Sequence, residues 1–136
     1  MTFNGVIQRK MALLDTQIGN LRKHLSGVEK KAFVEDWVLR SMAERALQVA
    51  IEIVIDIAER IIALHGAGPV VSATDAIKKL VQIEILESEK PYVEMVRFRN
   101  LIVHEYEEID PELLYELATT RLEDFARFRA EIDRIG

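Results

Sequence analysis

The chain has 136 residues, a formal net charge of −5, 30% charged residues of both signs and no cysteine. One domain spanning residues 1–136 is expected at this length, and the missing thiols exclude disulfides and thiolate metal sites, which fits a reducing compartment. The acidic balance excludes a surface-wide polyanion binder, so any contact with nucleic acid has to come from a local cluster.

The opening MTFNGVIQRKMALLDTQ has no apolar signal block, and Glu52, Asp56 and Glu59 interrupt the most apolar stretch. A cytoplasmic protein without a membrane span is therefore expected. In the first segment Ile7, Met11, Leu14, Ile18, Leu21 and Leu25 repeat at spacings of three and four, an amphipathic helix ending near Ser26-Gly27. The second runs from about Lys31 to His65. Its Ile- and Val-rich middle looks β-prone, but Glu44, Arg45, Gln48, Glu52, Asp56, Glu59 and Arg60 fall on one arc of a helical wheel. That periodicity predicts a central helix with one polar stripe, stopped by Gly66-Ala67-Gly68-Pro69. Ser72 and Asp75 form a weak capping box opening a shorter helix to about Leu86. Another helix starts at Ser88 or Glu89 with Pro91 in its first turn. Asp110-Pro111 opens the last, which carries Leu114, Ala118, Phe125, Phe128, Ile132 and Ile135. The expected fold is all-α, an up-and-down bundle of four long helices plus a shorter one.

Phosphate-cradling glycine loops are missing and His24, His65 and His104 are scattered, so neither a cofactor nor a metal site is expected. The unusual stretch is RFRNLIVHEY, residues 97–106, where two arginines, an asparagine and a histidine interrupt an apolar helix. On the wheel Arg97, Asn100 and His104 cluster, while Arg99 lies about 140° from His104 among Met95, Val103 and Tyr106. A charged Arg99 in an apolar arc needs an acidic partner or a cleft.

The run from Arg99 to Tyr106 resembles the R-x4-H-x-Y motif of HepT-like toxins in the HEPN superfamily. The flanking RALQVAIEIVIDIA and the following EEID resemble that family in the same order. The resemblance implies a helical homodimer whose motif lines a cleft between protomers. It also implies a metal-independent endoribonuclease acting as the toxin of a toxin–antitoxin pair. The implied partner is a minimal nucleotidyltransferase, the MntA-like antitoxin, which in some family systems adds AMP to the motif tyrosine. By position the implied residues are Arg99 and His104 as catalytic groups, Asn100 as a supporting polar group and Tyr106 as the modified tyrosine.

The residue types suit that chemistry. An imidazole titrating near neutrality can move a proton between the RNA 2′-hydroxyl and the leaving oxygen, and a guanidinium can grip phosphate oxygens. Wheel geometry alone would choose Arg97, which faces the same way as His104; the family motif chooses Arg99. A non-catalytic helical partner of the nucleotidyltransferase is the alternative. Glu52 and Asp56 read as solvated or ion-paired, with an orienting role towards Arg99 as the less favoured option. Trp37 reads as a core or interface anchor, and the arginines 121, 127, 129 and 134, interleaved with Glu123, Asp124, Glu131 and Asp133, as a solvated face.

Overall fold

The structure, a computed structural model, describes residues 5–104 and 109–135. Among these residues the secondary structure is helical throughout, with no strand: α1 (Gly5–Leu25), α2 (Lys30–Glu35), α3 (Trp37–Leu64), α4 (Ala73–Gln82), α5 (Lys90–His104), α6 (Pro111–Thr119) and α7 (Glu123–Ile135). The heptad-spaced residues of α1 are all buried, as are twelve residues of α3, and one continuous hydrophobic cluster draws on every helix. The polar stripe of α3 stays outside that cluster, with Asp56 ion-paired to Lys10 and Arg60. No described helix is long and apolar enough to cross a membrane.

Two rods expected to be continuous are each divided. The Lys31–His65 segment breaks at Asp36, whose backbone is extended and whose carboxylate accepts a hydrogen bond from the Leu39 amide at 3.1 Å. Asp36 thus caps α3 and the chain turns there instead of winding on. The last segment breaks after Thr119-Thr120, whose hydroxyls donate back to the carbonyls of Tyr115 and Glu116. Such back-bonding competes with the helical ladder and bends it. The helix from Ser72 also stops early, at Gln82, because Glu84 takes a left-handed conformation (φ 64°) and the Ile85 and Leu86 amides fold back on the Leu80 carbonyl.

The rods nevertheless run alternately up and down. Asp15 of α1 meets Arg129, and Leu21 and Leu25 line a groove with Ala118 and Leu122, so α1 is antiparallel to the α6–α7 rod. Tyr92 meets Phe128 and Glu131, whereas Glu94 meets Arg121, so α5 is antiparallel to α7 as well. Leu47 and Ile51 of α3 share a small cavity with Pro91, Met95 and Phe98 of α5. The end of α5 therefore emerges beside the beginning of α3 and the beginning of α6. The apolar arc of α3 is filled within the protomer from Ala43 to Ile62. Of eight large hydrophobic residues exposed among the described residues, Trp37, Val38, Leu101, Val103 and Leu113 belong to the start of α3, the end of α5 and the start of α6. Trp37, 70% exposed, is no part of the core.

A non-glycine residue in the left-handed region carries a steric cost that glycine lacks. Replacing the exposed Glu84 by glycine is expected to raise unfolding free energy by up to about 1 kcal/mol, net of the extra freedom of the unfolded chain. A urea midpoint that falls, or does not move, would contradict this.

Candidate active site

Helix α5 is held firmly at its start. Pro91, Tyr92 and Val93 are buried, the Tyr92 ring packs edge-on against Phe128 at 5.5 Å, and the Tyr92 hydroxyl donates to Glu131 Oε2 at 2.5 Å. The other oxygen of Glu131 accepts from the Glu87 amide at 3.0 Å. Glu131 is thus a buried acid, 7% exposed, and not one of the solvated face residues its neighbours suggested. The sequence signal was its place between Phe128 and Ile132, on the buried arc of α7. Burial first, then the Glu131 carboxylate, push the Tyr92 hydroxyl well above its ordinary pKa.

One turn further along, Glu94 is tied to Arg121 at 2.7 Å, and Arg121 also reaches Asp124 at 3.0 Å. The Arg121 guanidinium holds the Glu94 carboxyl below the usual carboxylate range, with the charges of Lys90 and Arg97 adding to the effect. The same two acids raise the pKa of Arg121 itself. This cluster fastens α5 to the α6–α7 break.

The far end of α5 is different. Arg97 is exposed, Arg99 and Asn100 are half-buried, and His104 is exposed at the last described residue of the helix. Arg99 follows the buried Met95 and Val96 on the core-facing arc. Its Nε is sealed from solvent and has no hydrogen-bond partner among the described residues. No ion pair among the described residues reaches Arg99, and Asp56 and Glu52 are occupied elsewhere, by Lys10 and Arg60 and by Gln48. The orienting role for those two acids is therefore not seen. Val103, a turn beyond Arg99 on the same arc, is 44% exposed. The core-facing side of α5 thus runs past the edge of its own bundle, and Arg99 sits where cover runs out. A half-buried guanidinium with an unsatisfied nitrogen in that position is suited to an incoming anion.

Arg99 and His104 stand about 7.5 Å apart along the helix axis and point in different directions, as the wheel required. Tyr106 and Glu105 lie outside the described residues. The other two tyrosines have engaged hydroxyls: Tyr92 as above, and Tyr115 donating to the Val28 carbonyl at 2.7 Å. No three His, Asp or Glu side chains among the described residues gather as a metal-binding set.

A family model described as "Ribonuclease HepT-like" matches residues 14–132, a span that includes the whole of the Arg99–Tyr106 motif. The chain belongs to that family. It is 23% identical over 130 residues to the tRNA nuclease HepT of Aphanizomenon flos-aquae, covering 94% of this chain and 88% of that one. It is 27% identical over 127 residues to the mRNA nuclease HepT of Shewanella oneidensis, covering 92% of this chain and 94% of the other. In structure the HepT-like chain is similar to a tri-AMPylated HEPN toxin of Shewanella oneidensis solved in complex with an MNT antitoxin. That match has a TM-score of 0.88 at 27% identity and covers 97% of this chain and 99% of the toxin. The same architecture recurs in the cytosolic protein YutE of Bacillus subtilis, TM-score 0.74 at 19% identity, where the likeness concerns the fold alone.

The Tyr92–Glu131 pair has a pH signature. Folded Tyr92 keeps its proton to higher pH than the unfolded chain does, so its contribution is intact below the unfolded value near pH 10 and is lost as pH rises beyond it. Wild-type stability should fall above about pH 10 with an added slope of at most about 1.4 kcal/mol per pH unit. Tyr92→Phe should remove that slope and cost about 1–2 kcal/mol at neutral pH by leaving Glu131 short of a donor. Parallel wild-type and variant stability curves above pH 10 would refute the assignment.

Proposed function

We propose that this HepT-like protein is a metal-independent endoribonuclease toxin of a toxin–antitoxin pair, acting in the cytoplasm as a two-fold dimer. The observation that carries the proposal is Arg99: its half-buried guanidinium, with an unpartnered Nε, stands at the uncovered end of α5 beside the exposed His104. The similar nucleases and the similar toxin–antitoxin complex support the same function. A second copy docking on Trp37, Val38 and Val103 would cover that end and turn it into a cleft, and two copies of Arg99 and His104 would then face one strand.

The chemistry runs on the substrate's own hydroxyl. His104 of one protomer takes the proton of the 2′-hydroxyl, and the 2′-oxygen attacks the adjacent phosphorus. The bond to the 5′-oxygen breaks, leaving a 2′,3′-cyclic phosphate, and the departing oxygen collects a proton from the second imidazole. Arg99 stabilises the negative charge that builds on the non-bridging oxygens, and Asn100 supports it. An MntA-like nucleotidyltransferase antitoxin neutralises the enzyme by transferring AMP from ATP to the Tyr106 oxygen, which loses its proton as pyrophosphate departs, and this places negative charge and bulk over the phosphate site. The tri-AMPylated state of the similar toxin supports this, as do the engaged hydroxyls of Tyr92 and Tyr115.

Arg99→Ala should reduce RNA cleavage by about 100- to 1000-fold, and His104→Ala by a comparable factor, with the fold intact by circular dichroism. Arg97→Ala should be several-fold weaker in effect, and chelator should change nothing. Arg97→Ala as the sole inactive arginine variant, or cleavage lost on chelation, would reverse the assignment. Sedimentation should give two copies at micromolar concentration; a monomer there would remove the shared cleft.

Incubation with the cognate nucleotidyltransferase, ATP and Mg²⁺ should add AMP mass to Tyr106 and suppress cleavage. Peptide mapping that finds the label on Tyr92 or Tyr115, with Tyr106 untouched, would defeat the regulatory part. Labelling of Tyr106 in a protein that never cut RNA would instead favour a non-catalytic partner of the transferase.

A further inference from the structure

The arginine that the motif leaves aside has a place of its own. Lys90, Glu94, Arg97, Leu101 and His104 fall within about 80° on the wheel of α5, spaced so that they form one stripe along its length. Lys90, Arg97, Leu101 and His104 are exposed. Among the described residues neither Lys90 nor Arg97 makes an ion pair, whereas Arg121, Arg129 and Arg134 are all engaged. Glu94, the acid on the stripe and three residues from Arg97, is held by Arg121 at 2.7 Å. That bond draws the carboxylate towards the α6–α7 break and leaves Arg97 free to take another anion.

We infer that this stripe is a second phosphate-binding element: a track for single-stranded RNA leading away from His104, with Arg97 and then Lys90 contacting the backbone. It deepens the ribonuclease reading and rests on it for the direction of the strand. The spacing fits. Arg97 lies about 10 Å from His104 along the axis, and Lys90 about 21 Å. A stacked strand rises about 3.4 Å per nucleotide, so the two contacts fall about three and six nucleotides from the scissile position. Leu101, 41% exposed between Arg97 and His104, offers an apolar face to a base. Arg99, on the other side of the helix, grips the reacting phosphate, and Arg97 holds the strand that leads to it. The two arginines of RFRN thus have separate jobs, and the net charge of −5 is no obstacle to either.

The test measures binding apart from cleavage. A fluorescein-labelled single-stranded RNA dodecamer is titrated onto the full-length His104→Ala protein at several salt concentrations, alone and with Lys90→Ala and Arg97→Ala added. Both side chains are exposed, and melting curves check that the fold is kept. The double substitution should weaken binding at least several-fold and shallow the slope of log affinity against log salt by about 1.4, about 0.7 for each phosphate no longer neutralised. Arg9→Ala, on the separate helix α1, should change the slope far less. With His104 restored, the double variant should show a raised KM and a nearly unchanged kcat. Unchanged affinity and slope, or an equal effect from Arg9→Ala, would overturn the track. So would loss of nucleotidyltransferase binding with RNA affinity intact, which would assign the stripe to the protein partner. Wild-type protein that binds RNA with the expected slope but never cuts it would sink the nuclease reading and leave the track standing.

Discussion

The carboxylate of Glu131 accepts two hydrogen bonds at the start of α5, from the Tyr92 hydroxyl and the Glu87 amide, and this buried acid sets where the helix begins and how it is aimed. A carboxylate taken out of water is tolerated only when its oxygens are satisfied, so the arrangement is intolerant of a shift in either partner. With its first turn fixed in this way and its second fastened through Glu94 to Arg121, α5 cannot slide along the bundle. Its length then decides the rest. The core that covers Tyr92, Met95 and Phe98 gives out near Arg99, and the last turn projects with its inward face uncovered. The location of the candidate site is a consequence of pinning one end of a helix that is slightly longer than the core beneath it.

In the proposed reading Arg99 has the energetics of a site prepared for a ligand. An unsatisfied buried donor costs about 1–3 kcal/mol in the unbound protein, and here the donor belongs to a group that cannot neutralise itself by losing its proton. That cost is already met within the folded state, and in the proposed mechanism a phosphate oxygen would gain the bond without first displacing a carboxylate of the described residues. Glu94, three residues from Arg97, is taken by Arg121. That partly exposed pair is a weak contributor to stability in itself, but it draws a carboxylate away from Arg97.

The features legible in the sequence are those that follow from periodicity. The α1 seam, the α3 polar stripe, the Ser72 cap and the Asp110-Pro111 start depend on local spacing alone, and each is present. The breaks at Asp36 and at Thr119-Thr120 are not legible, because hydrophobic spacing continues across both and only the capping and back-bonding side chains betray them. Glu131 is legible only by its place between Phe128 and Ile132 on the buried arc; the partner that satisfies it is a tyrosine 39 residues away in sequence, which charge alternation along α7 does not reveal. At the site, the wheel separates Arg99 from His104 and puts Arg99 among apolar neighbours. It cannot tell which arginine is paired, since the partners of Arg121 and Asp56 come from other helices.

Net charge and local field are therefore decoupled in this protein by its salt bridges. Each pair formed among α1, α3, α5 and α7 cancels its own field within a few ångströms, and the remainder is screened over about a Debye length, about 8 Å at physiological ionic strength. What a strand approaching α5 meets is thus set by the charges nearest to it that no neighbour has claimed. On α5 these are Lys90, Arg97 and Arg99, all basic, while the acid among them is turned towards Arg121. An acidic protein can in this way present a cationic helix to a polyanion. In the proposed track the strand lies along this face, from which the one acid on the stripe has been drawn aside towards Arg121.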